Sequence, residues 1–276
     1  MIDPMRKNIL ATLLAGITAV SVISAPVATA APIAPAPAQA VPLVPKDATY
    51  DSGVPIVMFG DSMFANPSSE DMNNGNAEGN MCPRGDFRVA TVLAQSTGKD
   101  VADYSCNGST FTKIKPMVEQ VARGESAMDE STEHVFFMAG FNDFLPDPFA
   151  ASPKVDTGWD TVISMAKEQA PNAQIHVLSY PSASDMWGNI CMVNGMLAAP
   201  AISVSEATAN DWARQAAARN GVSFTVVGDK TTSTCASPDR RWVSNPLDSQ
   251  VEANMPFHLT TNGVHGVANI VAGIAS

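Results

Sequence analysis

Basic side chains are scarce in this chain: 16 Lys and Arg stand against 27 Asp and Glu, for a formal net charge of -11. No basic cluster exists to neutralise phosphates, so nucleic acid is not an expected partner. The acidic residues are scattered rather than gathered into a cation-binding run, and their excess reads as solubility. Cysteine is limited to Cys82, Cys106, Cys191 and Cys235. No two of these share the short spacing of a zinc knuckle, which argues against a thiolate metal site. No internal repeat is visible. The apolar stretch from Ile9 to Ile23 is interrupted by Gly16, Thr18 and Ser21 and falls short of the ~20 residues of a membrane span.

What is there begins with an export pattern. Arg6 and Lys7 precede that apolar stretch, and Ala28-Thr29-Ala30 and Ala38-Gln39-Ala40 follow it as small-residue sites. Residues 1–30 read as a signal peptide, with cleavage as late as 40 the alternative. Residues 31–45 are an uncharged, Ala/Pro-rich linker that cannot bury a core. Residues 46–276 suit one domain of ordinary size. With an export signal, four cysteines imply two disulfides and a secreted, extracytoplasmic location. Three pairings are formally open. Cys82 with Cys106 and Cys191 with Cys235 is the expected one, because each closes a loop between neighbouring elements.

Five short apolar runs read as buried strands: Val54 to Phe59, Asp100 to Tyr104, His134 to Ala139, Gln174 to Tyr180 and Val222 to Val227. Helical stretches alternate with them, at Phe87 to Thr97, Phe111 to Arg123, Gly158 to Gln169, Ile202 to Arg219 and Asn262 to Ala275. The alternation predicts a three-layer α/β/α sandwich around a five-stranded parallel sheet. In a flavodoxin-like strand order 2-1-3-4-5, the loops after the first three strands meet at the topological switch point.

Those loops carry chemistry. Gly60-Asp61-Ser62 puts a hydroxyl at a strand-to-helix turn, where rigid backbone holds a nucleophile. Cys106-Asn107-Gly108 follows the second strand, and Gly140-Phe141-Asn142-Asp143 follows the third. Acyl transfer needs donors aimed at the oxyanion of a tetrahedral intermediate. The backbone amides of Ser62 and Gly108 and the side-chain amide of Asn142 are the candidates. Asp61 is expected to order the nucleophile turn, and Asp143 to position Asn142. His134 and His176 lie at or in strands and read as structural.

The ordered set Gly60-Asp61-Ser62, Gly108, Gly140 to Asp143 and a C-terminal histidine resembles the SGNH (GDSL-type) hydrolase family over Val54 to Ala275. Within it, the four cysteines are similar in placement to those of secreted bacterial esterases and lipases. The resemblance implies an α/β sandwich with esterase, lipase or acyltransferase activity, a Ser62 nucleophile, an oxyanion hole from Ser62, Gly108 and Asn142, and no cofactor or metal. It implies a histidine base usually oriented by Asp in Asp-x-x-His, a tetrapeptide this C-terminus does not contain.

Two histidines compete for that role. His258, in Pro256-Phe257-His258-Leu259-Thr260 after Arg241-Trp242-Val243, resembles a subgroup in which a backbone carbonyl replaces the carboxylate. His265, in Asn262-Gly263-Val264-His265, resembles the common motif with Asn in place of Asp. We favour His258. An acyl groove is expected from Met63 and Phe64, from Phe144, Leu145 and Phe149, and from Met186, Trp187, Ile190, Met192, Met196 and Leu197. The expected function is a secreted serine ester hydrolase, monomeric, acting on a small-molecule, lipid or glycan ester and able to associate peripherally with the cell envelope. The alternatives are acyl transfer to or from envelope esters, and a catalytically silent envelope-binding protein of the same fold.

Overall fold

The computed structural model describes residues 53–78, 80–122, 127–144, 151–192, 195–198, 200–246, 248 and 254–276. The expected signal peptide, the linker and the proposed domain start at residue 46 lie outside the described residues. The sheet forms as expected. Strands β1 (Ile56–Gly60), β2 (Val101–Asp103), β3 (His134–Met138) and β4 (Gln174–Leu178) are parallel. After a hairpin of β5 (Asn189–Met192) and β6 (Gly195–Ala198), β7 (Ser223–Thr225) completes a five-stranded sheet of order β2-β1-β3-β4-β7.

Every residue of β1 and β3 is buried, which is why both read as unbroken apolar runs rather than alternating ones. On one face Phe59 stacks between Tyr104 and Phe137, each ring 5.3 Å away. The edge strands β2 and β7 are three residues each, shorter than their apolar runs, because pairing on one side only supports less strand.

The helices follow from crossover handedness. The chain moves from β1 to β2 in one direction, and α3 (Val89–Thr97) spans that step. It then reverses, carrying α4 (Phe111–Ala122), α6 (Ala151–Gln169) and α7 (Pro200–Asn220) over the remaining steps. Right-handed connections put the two groups on opposite faces. Accordingly α6 packs against both α4 and α7, while α3 packs against the last helix, α8 (Thr261–Ala275). Three short elements were not foreseen: α1 (Ser62–Ala65), α2 (Ser69–Glu78) and α5 (Phe141–Phe144). The β5–β6 hairpin is also new, and it falls where the apolar residues around Cys191 suggested a groove.

The disulfides join Cys82 to Cys106 and Cys191 to Cys235, as sequence proximity suggested. The first, together with the Arg88 Nε to Asp103 Oδ2 ion pair at 2.6 Å, holds the segment after α2 against the end of β2. The second bolts the hairpin to the segment after β7.

On the neighbouring interior strands β3 and β4, His134 and His176 form a buried pair, Nδ1 to Nε2 at 3.2 Å, stacked on Phe136. One imidazole donates and the other accepts, so the pair works with both rings uncharged. Burial lowers the pKa of His134 and holds that of His176 down at about 4. The unfolded chain titrates near ~6.5. This contribution is therefore fully present above that value and is lost as pH falls from ~6.5 toward about 4. We expect His176→Leu to flatten the decline in urea-unfolding free energy between pH 7 and pH 4.5 by on the order of 2 kcal/mol. An unchanged slope would remove the pair from the account of acid sensitivity.

Candidate active site

Asp61 is the hub of the region beyond the carboxyl ends of the strands. It is only 1% exposed. Its Oδ1 accepts the Met63 N–H at 3.0 Å and so caps α1, fixing the turn on which Ser62 sits. Its Oδ2 accepts the Tyr180 hydroxyl at 2.6 Å and the Asn142 amide at 3.2 Å. One carboxylate thus ties the ends of β1, β3 and β4 together. Burial pushes its pKa up to about 6, against the lowering effect of the Tyr180 and Met63 hydrogen bonds. It is still ionised at neutral pH.

Asn142 donates from the same Nδ2 to the Ser109 carbonyl at 3.1 Å. Ser109 belongs to the loop after β2, which is docked on the end of β1 through Cys106 N–H to Gly60 O at 3.0 Å. The loops carrying Ser62, Gly108 and Asn142 are therefore linked by direct contacts. Gly108 is exposed at φ 65°, a left-handed turn that glycine adopts without Cβ strain. Among the described residues, the backbone N–H groups of Ser62 and Gly108 make no hydrogen bond. Both remain open donors.

Asp143 does not hold Asn142. Its carboxylate accepts the Phe111 N–H at 3.3 Å and satisfies an otherwise open donor at the start of α4, with its pKa pushed up to about 6 by burial.

His258 is set by a strand-like zipper. Ser244 N–H donates to His258 O at 2.8 Å, Phe257 N–H to Ser244 O at 3.0 Å, and Thr260 N–H to Trp242 O at 3.0 Å. Val243 and Leu259 form an antiparallel bridge within it. Phe257, at φ 63°, sits in the left-handed region that a bulky residue occupies only when its surroundings impose it. The imidazole that follows donates from Nδ1 to the Pro256 carbonyl at 2.9 Å. A carbonyl only accepts, so Nδ1 carries the proton and Nε2 is the free base. Nε2 is buried and has no hydrogen-bond partner among the described residues. Burial lowers the His258 pKa, opposed by the Pro256 and Met255 backbone.

Ser62, Asn142 and His258 line one cavity of about 310 Å³ with Asp61, Met63, Phe141, Tyr180, Ile202 and Phe257 among its other walls. His265 is elsewhere. It is exposed on α8, edge-on to Phe87 at 5.4 Å. The glycines around it have a packing reason: a Cβ on Gly263 would fall 2.1 Å from the Trp242 carbonyl oxygen, and one on Gly266 2.3 Å from the Trp242 ring. That stretch is shaped by helix docking.

Most of the residues expected to form an acyl groove do not line this cavity. Met63 lines the cavity, but Phe64, Phe144 and Ile190 are buried packing residues. Met186, Trp187 and Met192 are exposed. Leu145 and Phe149 lie outside the described residues, and the walls come instead from segments around β4, the start of α7 and the His258 loop. Tyr180 was missed, since a tyrosine ending an apolar run reads as core. Its proximity to the third strand's Asn142, through Asp61, is a product of strand order.

A family model for GDSL-like lipases and acylhydrolases matches residues 58–265. Among solved structures, phospholipase A1 from Streptomyces albidoflavus aligns at TM-score 0.59 and 19% identity, over 82% of this chain and 100% of that one. The extracellular lipase of Streptomyces rimosus aligns at 0.56 and 18% identity, over 80% and 99%. An acetylxylan esterase mutant from Geobacillus stearothermophilus aligns at 0.51 and 13% identity, over 83% and 96%. No curated protein sequence matches the chain.

Tyr180→Phe removes the hydroxyl that donates to Asp61 and accepts the Phe141 N–H at 3.2 Å. We expect Asp61 to titrate above its present value of about 6, and unfolding free energy to drop by ~1–3 kcal/mol from the unsatisfied groups. Carboxyl NMR titration and denaturant melts check the two effects; an unmoved Asp61 titration would show that the hydroxyl does not control it.

Proposed function

The chain belongs to the GDSL-like lipase/acylhydrolase family and is a carboxylic ester hydrolase; from that premise we propose that it is an extracytoplasmic serine esterase working through an acyl-enzyme on Ser62. The observation that carries this reading is the tautomer of His258. Its Nδ1 proton is committed to the Pro256 carbonyl, leaving Nε2 unprotonated on the wall of the cavity that Ser62 also lines.

In the proposed mechanism the Ser62 hydroxyl attacks the ester carbonyl carbon while Nε2 of His258 takes its proton. The tetrahedral oxyanion is met by the open N–H groups of Ser62 and Gly108 and by Asn142. Both Nδ2 hydrogens of Asn142 are engaged in the free protein, so its service to the oxyanion exchanges one bond. The neutral Ser109 carbonyl is the weaker acceptor and the one to release, while the Asp61 carboxylate keeps the amide oriented. Collapse expels the alcohol, which receives the proton from His258. Water then repeats the sequence on the acyl-enzyme.

A carbonyl behind Nδ1 fixes the tautomer but adds no full negative charge to stabilise the imidazolium. The Pro256 contact nonetheless raises the His258 pKa against burial, the direction required of a group that must accept a proton in the transition state. The cavity suits a compact acyl group, because its volume of about 310 Å³ lies at the small end of ligand pockets. Export is supported by the N-terminal segment and by two disulfides, which persist in oxidising compartments.

With nitrophenyl esters of increasing chain length, Ser62→Ala is expected to abolish turnover and fluorophosphonate labelling. His258→Ala should lower kcat/KM by roughly 10²–10⁴-fold and Asn142→Ala by about 10²–10³-fold, with His265→Ala unchanged. Full activity in His258→Ala would remove the proposed base. A base is active when unprotonated and burial lowers this one, so the acid limb of kcat/KM should have its midpoint below ~6.5. Ester products formed with an added alcohol would report transfer in place of hydrolysis.

A further inference from the structure

Trp187 and Met186 are the most exposed large apolar side chains among the described residues, at 80% and 71%. They sit on a tightly built turn. The Asp185 carboxylate accepts the N–H groups of Trp187 and Asn189, both at 2.8 Å. Asp185 N–H donates to Asn189 O at 2.8 Å, and Gly188 N–H to Asp185 O at 3.0 Å. The backbone donors at 185, 187, 188 and 189 are thus satisfied within the turn, and a segment with satisfied backbone can enter a poorly hydrating layer at low cost. The Asp185 charge is turned onto that backbone.

This turn lies against the start of α7, the helix that supplies Ile202 to the cavity wall. A Cβ on Gly188 would lie 3.7 Å from the Ser203 side chain, and Ser203 is flanked by Ile202, in the cavity wall, and Val204, exposed at 63%. Met192, on β5 of the same hairpin, is exposed at 37%, and the Cys191–Cys235 bond fixes β5 in place.

Charge identifies the partner. In a chain of net charge -11, the run from Met186 to Ser205 contains no Asp, Glu, Lys, Arg or His. Lys230, which adjoins this turn, donates to Ser184 Oγ at 2.6 Å and pairs with Glu206 Oε2 at 2.9 Å, so its charge is already engaged, and such an apolar rim on an anionic protein fits a surface that is itself uncharged overall. An anionic membrane would repel it. Tryptophan and methionine at the tip of an ordered loop suit the headgroup-to-acyl boundary, where an amphipathic ring is partly buried. Among the described residues no helix is long and apolar enough to cross a membrane.

We propose that the rim of Met186, Trp187, Met192 and Val204 docks on a zwitterionic lipid surface, presenting the cavity mouth to esters held in that layer. Docking itself is independent of chemistry; only the delivery of an ester to Ser62 rests on the hydrolase reading above.

The test uses the full chain carrying Ser62→Ala, so that lipid is bound and not consumed, with phosphatidylcholine vesicles. We expect cosedimentation with the vesicles and a blue shift of tryptophan emission that is absent when Trp187→Ala is added. Partitioning should fall by about tenfold or more in Met186→Asp/Trp187→Asp, whose thermal melt stays that of the parent. On the Ser62 background the same pair should leave hydrolysis of a soluble acetate ester intact and slow hydrolysis of a vesicle-embedded ester by a similar factor. Failure to bind these vesicles, binding only when anionic lipid is present, or equal binding by the double variant would overturn the proposal. So would protection of Trp187 from acrylamide in the absence of vesicles, which would mean the chain itself or a second copy covers it, or retention on insoluble polysaccharide in place of vesicles. An inactive wild type that still binds vesicles would sink the hydrolase reading and leave the docking surface standing.

Discussion

The site depends on one buried carboxylate with three partners. Asp61 caps the helix that carries Ser62, accepts the Tyr180 hydroxyl and holds the Asn142 amide. Each contact comes from the end of a different strand, and together they satisfy a carboxylate that would otherwise be buried without partners. Burial works against the charge, lifting its pKa to about 6, and the three donors keep the ion stable in its pocket at neutral pH. Such an arrangement is costly to break at any one point, because removing a donor leaves the carboxylate buried and under-satisfied. It makes the spacing between Ser62 and Asn142 a property of the sheet ends that Asp61 joins.

The proposed base, His258, is held by a different device, with a backbone carbonyl accepting from Nδ1. A zipper of main-chain hydrogen bonds between the segments around Ser244 and His258 fixes the chain, and Phe257 is pressed into a left-handed conformation next to the imidazole. The Pro256 carbonyl then determines which ring nitrogen carries the proton. Holding a tautomer requires an acceptor in the right place and does not require a charge, although a charge would stabilise the imidazolium further. The docking of α8 supports the same zipper, since Gly263 and Gly266 allow the helix to close on Trp242.

Much of this was legible beforehand. The unbroken apolar runs of β1 and β3 identified buried parallel strands, and the alternation with helical stretches gave the layers. Motif order brought forward Ser62, Gly108 and Asn142 as candidates, and sequence proximity gave both disulfide pairings. The groove was less legible. Residues 186–192 are apolar and follow a strand, which suggested a lining, but the Asp185 turn and the β5–β6 pairing send Met186 and Trp187 outward. Composition carries no information about which way a hairpin faces.

Sequence by itself determined the fold class, the strand-to-helix turn that carries Ser62 and the identity of the candidate oxyanion donors, because each rests on local periodicity or on residues adjacent in the chain. Only the tertiary structure put His258, already favoured from sequence, on the cavity wall with Ser62 while leaving His265 exposed on α8, and assigned Tyr180 and Asp61 to one network. Both depend on contacts between residues far apart in sequence: Tyr180 reaches Asp61 only because β4 lies next to β3 and β3 next to β1, and His258 faces the cavity only because its segment is zipped to residues 242–244. Long-range pairing of this kind is set by the packing of the whole sheet and helices, and no local pattern encodes it.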